Sequence, residues 1–180
     1  MKEHPILFNQ EMVKAILEGR KTQTRRVLKK QPLDCLPMNV PNEWVILTER
    51  NPNHGMVMKC RYSQVGSRLW VRETFRHFAD GNMFYKADND DRNPVKGWTP
   101  SIFMPRWASR ITLEITDIRV QRLWEITDED AKAEGIGVNE PLVFNDSYKD
   151  SYAWLWDKIN GKKHPWILNE FVWVISFKRV

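Results

Sequence analysis

Near its end the chain reads Phe171-Val172-Trp173-Val174-Ile175-Ser176-Phe177-Lys178. Phe171, Trp173, Ile175 and Phe177 alternate with the residues between them, and a period of two places each set on one face of an extended strand. The same alternation marks Ile111, Leu113 and Ile115, in a strand expected to run on to Leu123. Shorter runs at 5–8, 21–27, 44–48, 56–62, 69–71, 74–78 and 83–86 also read as strands. Asn-Pro-Asn-His-Gly at 51–55 reads as the turn between two of them, and Ala-Asp-Gly-Asn at 79–82 as a hairpin loop. Many strands and few helices predict an α+β chain: a small β-barrel or curled sheet with helices packed outside it.

Three helices are expected. The first follows Asn9 as N-cap, carries Met12, Val13, Ile16 and Leu17 on one face, and stops at Gly19 after about three turns. The second begins at Thr127-Asp128-Glu129-Asp130, a capping-box string with Asp130 in place of the usual Glu, and ends at Gly135. The third spans about 146–160, with Tyr148, Tyr152, Leu155 and Ile159 on one stripe. Trp70, Trp124 and Trp173 are expected in the core, whereas Trp154 and Trp156 cannot share a helix face. Residues 31–43 read as loop, and 88–108 as a long segment without clean periodicity. A chain of 180 residues fits one domain with a real core.

The net charge of +5 favours an anionic partner, most simply one bearing phosphate. Cys35 and Cys60 lack the spacing of a metal or redox pair, and the four histidines are scattered, so neither a metal nor another cofactor is expected. The first residues lack the apolar run of a signal peptide, and no stretch approaches the ~20 apolar residues of a membrane span. These features predict a soluble, cytoplasmic protein. A GxGxxG or P-loop string is missing, so the common nucleotide folds are not indicated.

The most informative string is Gly19-Arg20-Lys21-Thr22-Gln23-Thr24-Arg25-Arg26, four cations in seven residues between a helix end and a strand. In a strand, Thr22, Thr24 and Arg26 share one face and Gln23 and Arg25 the other; alternation does not fix the direction of Lys21. Such a string is either a solvated basic edge or a functional site.

This string resembles the signature of the ASCH family, in the PUA-like superfamily. Gly66-Ser67-Arg68-Leu69-Trp70-Val71-Arg72-Glu73 resembles its Gly-led strand. Ile111-Thr112-Leu113-Glu114-Ile115, the Leu-Trp-Glu-Ile-Thr that follows, the helix to Ala133-Glu134-Gly135 and the closing strand resemble its later elements. On this resemblance the chain is a single ASCH-type domain with insertions at about 29–65 and 79–108, similar to proteins encoded by phages and prophages. The resemblance implies either RNA or DNA binding or, from one bacterial branch, hydrolysis of the acyl amide of N4-acetylcytidine. The Lys, Thr and Glu of that branch fall on Lys21, Thr24 and Glu134.

The chemistry suits these residue types. A threonine hydroxyl is a weak nucleophile until a base takes its proton, and a lysine does this when burial or neighbouring cations lower its pKa. Arg20, Arg25 and Arg26 are such neighbours. Glu134 falls at a helix end, where the macrodipole disfavours negative charge, which suits a general acid–base. A second cluster, Trp98 and Phe103-Met104-Pro105-Arg106-Trp107-Ala108-Ser109-Arg110, interleaves rings with cations as single-stranded nucleic acid grooves do. Trp98, Arg106, Trp107 and Arg110 are therefore binding candidates beside Arg20, Arg25 and Arg26. The expected partner is a nucleoside, RNA or single-stranded nucleic acid.

Overall fold

The computed structural model describes residues 3–37, 43–48, 51–62, 64–89, 96–136 and 147–180. Asn9 accepts a hydrogen bond from the Met12 amide at 2.8 Å and starts α1 (Gln10–Leu17) directly after β1 (Glu3–Leu7). The helix is eight residues long, shorter than the three turns expected, and its end is fixed by Gly19 at φ +76°. The chain then enters β2 (Gln23–Val27).

Residues expected as loop pair as β3 (Asp34–Pro37) with β4 (Glu43–Thr48), and β4 pairs with β5 (Asn51–Lys59). The Asn-Pro-Asn-His-Gly string therefore lies within β5 rather than at the turn. Next come β6 (Arg68–Arg72), the short hairpin β7 (Phe75–His77) and β8 (Met83–Tyr85), and then single 3-10 turns up to residue 108. The long strand β9 (Thr112–Arg122), α2 (Asp128–Ala133), α3 (Tyr148–Asn160) and β10 (Phe171–Arg179) complete the chain.

The main sheet runs β1-β6-β9-β10-β2, with β1 and β6 parallel and the other neighbours antiparallel. No backbone ladder joins its two edges among the described residues. Instead the Arg26 guanidinium on β2 donates to the Leu7 carbonyl at the end of β1 at 2.7 Å. The sheet is thus curled enough for one side chain to span its edges. The two faces of β10 bury different partners. Trp173, Ile175 and Phe177 point inward with Ile6, Phe8, Leu69, Leu113 and Ile115. Val172 and Val174 point outward into a second cluster, with Ala131 of α2 and Tyr152 and Trp156 of α3. The small sheet adds Trp44, whose ring meets Trp173 edge-on at 4.8 Å.

Several side chains depart from expectation. Trp70 is half-exposed on the outer face of β6, and Trp124 is 41% exposed in a 3-10 turn, so only Trp173 of that trio is core. On α3, Trp156 is buried and Trp154 exposed. Ile159, placed on the buried stripe by spacing, is 46% exposed because Ser151, Tyr152 and Trp156 face the sheet. Asp146, the expected start of that helix, lies outside the described residues. Among the described residues no helix is long and apolar enough to cross a membrane.

Candidate functional site

The Gly19–Arg26 string is held from three sides. The Lys21 amide donates to the Ala15 carbonyl of α1 at 3.0 Å, and the Thr22 amide to the Ala133 carbonyl of α2 at 2.8 Å. The Thr22 carbonyl accepts from the Phe177 amide of β10 at 2.8 Å. These bonds fix Lys21 where helix, strand and α2 meet. Gly135 completes the fit: at φ +94°, a Cβ there would stand 3.0 Å from the Ala15 Cβ and 3.1 Å from the Lys21 Cβ. Only a glycine lets α2 end so close to Lys21.

The Lys21 ammonium nitrogen donates to both the carbonyl and the carboxylate of Glu134, each at 2.7 Å. Their side chains are 0% and 3% exposed. The other carboxylate oxygen takes Arg25 Nη1 at 3.3 Å and the Tyr152 hydroxyl at 3.5 Å. Glu134 therefore sits between two cations, which offset the unfavourable helix end expected for it. Burial pushes the Lys21 pKa below that of a free lysine; Glu134 opposes the shift, and Arg26 and Arg25 add to it.

Alternation along β2 separates the rest of the string. Gln23 and Arg25 face the helices. Arg25 Nη2 binds Asp130 at 2.8 Å, Gln23 binds Asp130 at 3.1 Å, and Arg119 reaches the same carboxylate at 2.8 Å. Asp130 is therefore spent on this network and does not close the capping box; Thr127 alone caps, accepting from the Asp130 amide at 3.1 Å. The neighbouring cations hold the Asp130 carboxyl below the usual range against the effect of burial. Arg25 is enclosed between the sheet and the helices, its side chain 0% exposed.

Thr24 and Arg26 lie on the opposite, inward face, paired in register with Ile175 and Trp173. Thr24 is 2% exposed, and among the described residues its hydroxyl makes no hydrogen bond to Lys21 or Glu134. The ring of Phe8 lies 5.7 Å from the Lys21 amine and 5.3 Å from the Arg26 guanidinium. Arg26 Nε is buried without a partner. Of the three residues singled out for catalysis, the fold thus brings Lys21 and Glu134 into contact and sets Thr24 on the adjoining inner face. All three are closed off from solvent.

The remaining candidates lie elsewhere. Arg20 is exposed, paired with Glu18 and donating to the Gly135 carbonyl at 2.9 Å. Arg110 is held by Glu73 and Asp88 and lies over the Tyr85 ring, 4.0 Å from its centroid. Arg106 pairs with Glu3 at 2.8 Å. Trp107 is 68% exposed with its ring edge-on to His77 at 5.4 Å, and Trp98 is half-buried. Sequence reasoning missed Asp130, Gln23, Arg119 and Tyr152 as neighbours of the ion pair. The polar alternation of Asp117, Arg119 and Gln121 on β9 was the one signal for part of this group.

Among the described residues, no group of three or more His, Cys, Asp or Glu is placed to hold a metal ion. No protein-family model and no curated protein matches the chain. Among solved structures it is similar to an ASCH domain from Lactobacillus crispatus JV V101. That likeness has 13% identity, covers 99% of this chain and 79% of that one, and has a TM-score of 0.46. It is also similar to protein EF3133 from Enterococcus faecalis V583, of family DUF984, at 11% identity over 100% of this chain and 77% of that one, with a TM-score of 0.43.

Proposed function

We propose that this chain hydrolyses the exocyclic acyl amide of a modified nucleoside, with an N4-acylcytidine as the type of substrate. One observation carries the reading: the buried contact between Lys21 and Glu134 at the head of the strand that bears Thr24. Buried ion pairs are costly to form and are a poor source of net stability, so one placed inside a Gly-Arg-Lys-Thr-x-Thr-x-Arg string invites a chemical role.

In this reading neutral Lys21 takes the Thr24 hydroxyl proton as the oxygen attacks the acyl carbon. The ammonium so formed is stabilised by the Glu134 carboxylate 2.7 Å away. Lys21 then gives the proton to the exocyclic nitrogen as the C–N bond breaks, leaving an acyl ester on Thr24. Water attacks the ester, Lys21 again takes and returns a proton, and the carboxylic acid leaves. Thr24 must come within reach of the amine when substrate binds, as catalytic hydrogen bonds commonly tighten only then.

A second reading, a non-catalytic RNA- or DNA-binding module, draws on the burial of the trio, at 2%, 2% and 4% exposure for Lys21, Thr24 and Glu134. Incubation with N4-acetylcytidine, followed by chromatography for cytidine and acetate, tests the first reading. Turnover by the wild type that is lost in Thr24→Ala, with the circular dichroism spectrum retained, is the expected result. No turnover by the wild type, with salt-sensitive binding to RNA, favours the second.

A further inference from the structure

The cations of the Gly19–Arg26 string differ in what neutralises them. Arg20 has Glu18 at 2.5 Å, Lys21 has Glu134 at 2.7 Å, and Arg25 has Asp130 at 2.8 Å and Glu134 at 3.3 Å. Arg26 makes no ion pair among the described residues. Its hydrogen bond there runs from Nη2 to the Leu7 carbonyl, a neutral acceptor, and its Nε–H is buried without a partner. The Nε of Arg25 is also unpartnered, but both its terminal nitrogens are spent on side-chain oxygens. Arg26 is therefore the cation of this string with its charge uncommitted.

Its place in the fold gives that charge a use. Thr24 and Arg26 stand two residues apart on the inward face of β2, opposite Ile175 and Trp173, a spacing of about 7 Å along a strand. The Arg26 guanidinium and the Lys21 amine approach the same buried ring, Phe8, at 5.3 and 5.7 Å from its centroid. The hydroxyl of Thr24 thus has an amine and an unpaired guanidinium on one shared apolar floor. Arg25 projects from the opposite face of the strand and is already held by two carboxylates.

We infer that Arg26 is a further catalytic residue of the proposed hydrolysis, its guanidinium receiving the acyl oxygen as that oxygen becomes negatively charged. The inference rests on the hydrolase reading and supplies the electrostatic group which that reading lacks. As Thr24 Oγ bonds to the acyl carbon, its proton passes to Lys21 and the carbonyl π pair moves onto the oxygen, which the guanidinium meets. When the carbonyl re-forms, the C–N bond breaks and the Lys21 proton goes to the departing nitrogen. The same oxygen is charged a second time when water attacks the ester. An arginine stays cationic throughout, so Lys21 is left as the carrier of the proton. The Leu7 carbonyl holds the guanidinium in place beforehand and competes weakly with an oxyanion, because hydrogen bonds between charged groups are the stronger.

The test is kinetic. Initial rates on N4-acetylcytidine are measured for the wild type, Arg26→Ala and Arg26→Gln, each over a pH series reaching its plateau, with circular dichroism to confirm folding. Arg26→Gln keeps a side-chain N–H for the Leu7 carbonyl but carries no charge. Each variant is expected to lose about a hundredfold or more in plateau kcat, with KM changed less than about threefold. Added guanidinium ion is expected to restore Arg26→Ala by about tenfold and to leave Thr24→Ala inactive. Where Arg26→Ala does not fold, the kcat and KM of Arg26→Gln decide.

After burial, Arg26 is among the causes that lower the Lys21 pKa. Its removal therefore moves the pH profile upward, and full recovery of kcat at the higher plateau overturns the inference, because Arg26 then acts only through Lys21. A raised KM with kcat intact also overturns it and makes Arg26 a group that holds the substrate alone. In both cases the wild type still hydrolyses, and the hydrolase reading stands. No turnover by the wild type rejects that reading and the role of Arg26 together.

Discussion

Lys21 and Glu134, 113 positions apart in the chain, meet at 2.7 Å with neither side chain more than 3% exposed. The contact joins the segment after α1 to the end of α2 and is flanked by Arg25, Asp130 and Tyr152. Two charges buried together in this way are more useful for fixing geometry than for adding stability, because desolvation offsets most of their attraction.

Glu134→Ala leaves the Lys21 ammonium buried without its counter-charge. Breaking such a pair costs about 3–5 kcal/mol, which for a domain of this size lowers Tm by on the order of 10 °C. Replacing both partners, Lys21→Met with Glu134→Leu, is expected to cost clearly less than Glu134→Ala alone. Thermal unfolding followed by circular dichroism checks both; equal losses for the single and the double variant contradict the account.

The depressed Lys21 pKa sets a pH dependence. Between its folded value and the ordinary 10.5, the unfolded chain binds more protons than the folded one, so stability contributed by this group rises with pH through that window. Below the folded value the buried ammonium keeps its full penalty. Denaturant titrations at a series of pH values, wild type against Lys21→Met, are expected to show the rise in the wild type only. The proposed hydrolysis increases with pH as Lys21 loses its proton in the folded chain, and levels off above the folded value, below the ordinary lysine range.

The two thiols pull the other way. Burial pushes both Cys35 and Cys60 from 9.0 up to about 11. Above about pH 9 the unfolded thiols ionise first, so the folded state binds more protons and their contribution to stability falls as pH rises toward 11. At pH 8, Cys60, 7% exposed, is expected to react with a disulfide reagent at least tenfold more slowly in the folded than in the denatured protein. A native rate equal to the denatured one contradicts this placement.

Gly135→Ala combines two penalties, a left-handed backbone at φ +94° and a Cβ crowding both Ala15 and Lys21. A loss of about 2 kcal/mol is expected from the backbone conformation alone. Because the clash falls on the Lys21 side chain, activity is expected to drop further than the loss of folded protein explains. Urea unfolding, with the activity per folded molecule, separates the two effects.

The strand pattern was legible where one face meets the core: β9, β10 and the hairpin of β7 and β8 lie close to where alternation and turn residues put them. The two caps at Asn9 and Thr127 were equally legible, because a cap is a contact across three residues. β3 was not, since Asp34-Cys35-Leu36-Pro37 is short, Pro-bounded and without alternation, and becomes a strand only by pairing with β4.

What the sequence determined by itself was local: which segments extend, where helices begin and stop, and that four cations and two threonines fall together between residues 20 and 26. Which cations face inward was decided by the tertiary structure. Alternation separates Arg25 from Thr24 and Arg26, yet only the packing of α2 against β2 gives Arg25 its two carboxylates, and only the curl of the sheet carries Arg26 to Leu7. The physical reason is that a charge is buried only when a partner far along the chain meets it there. The periodicity of a strand carries no record of such a partner.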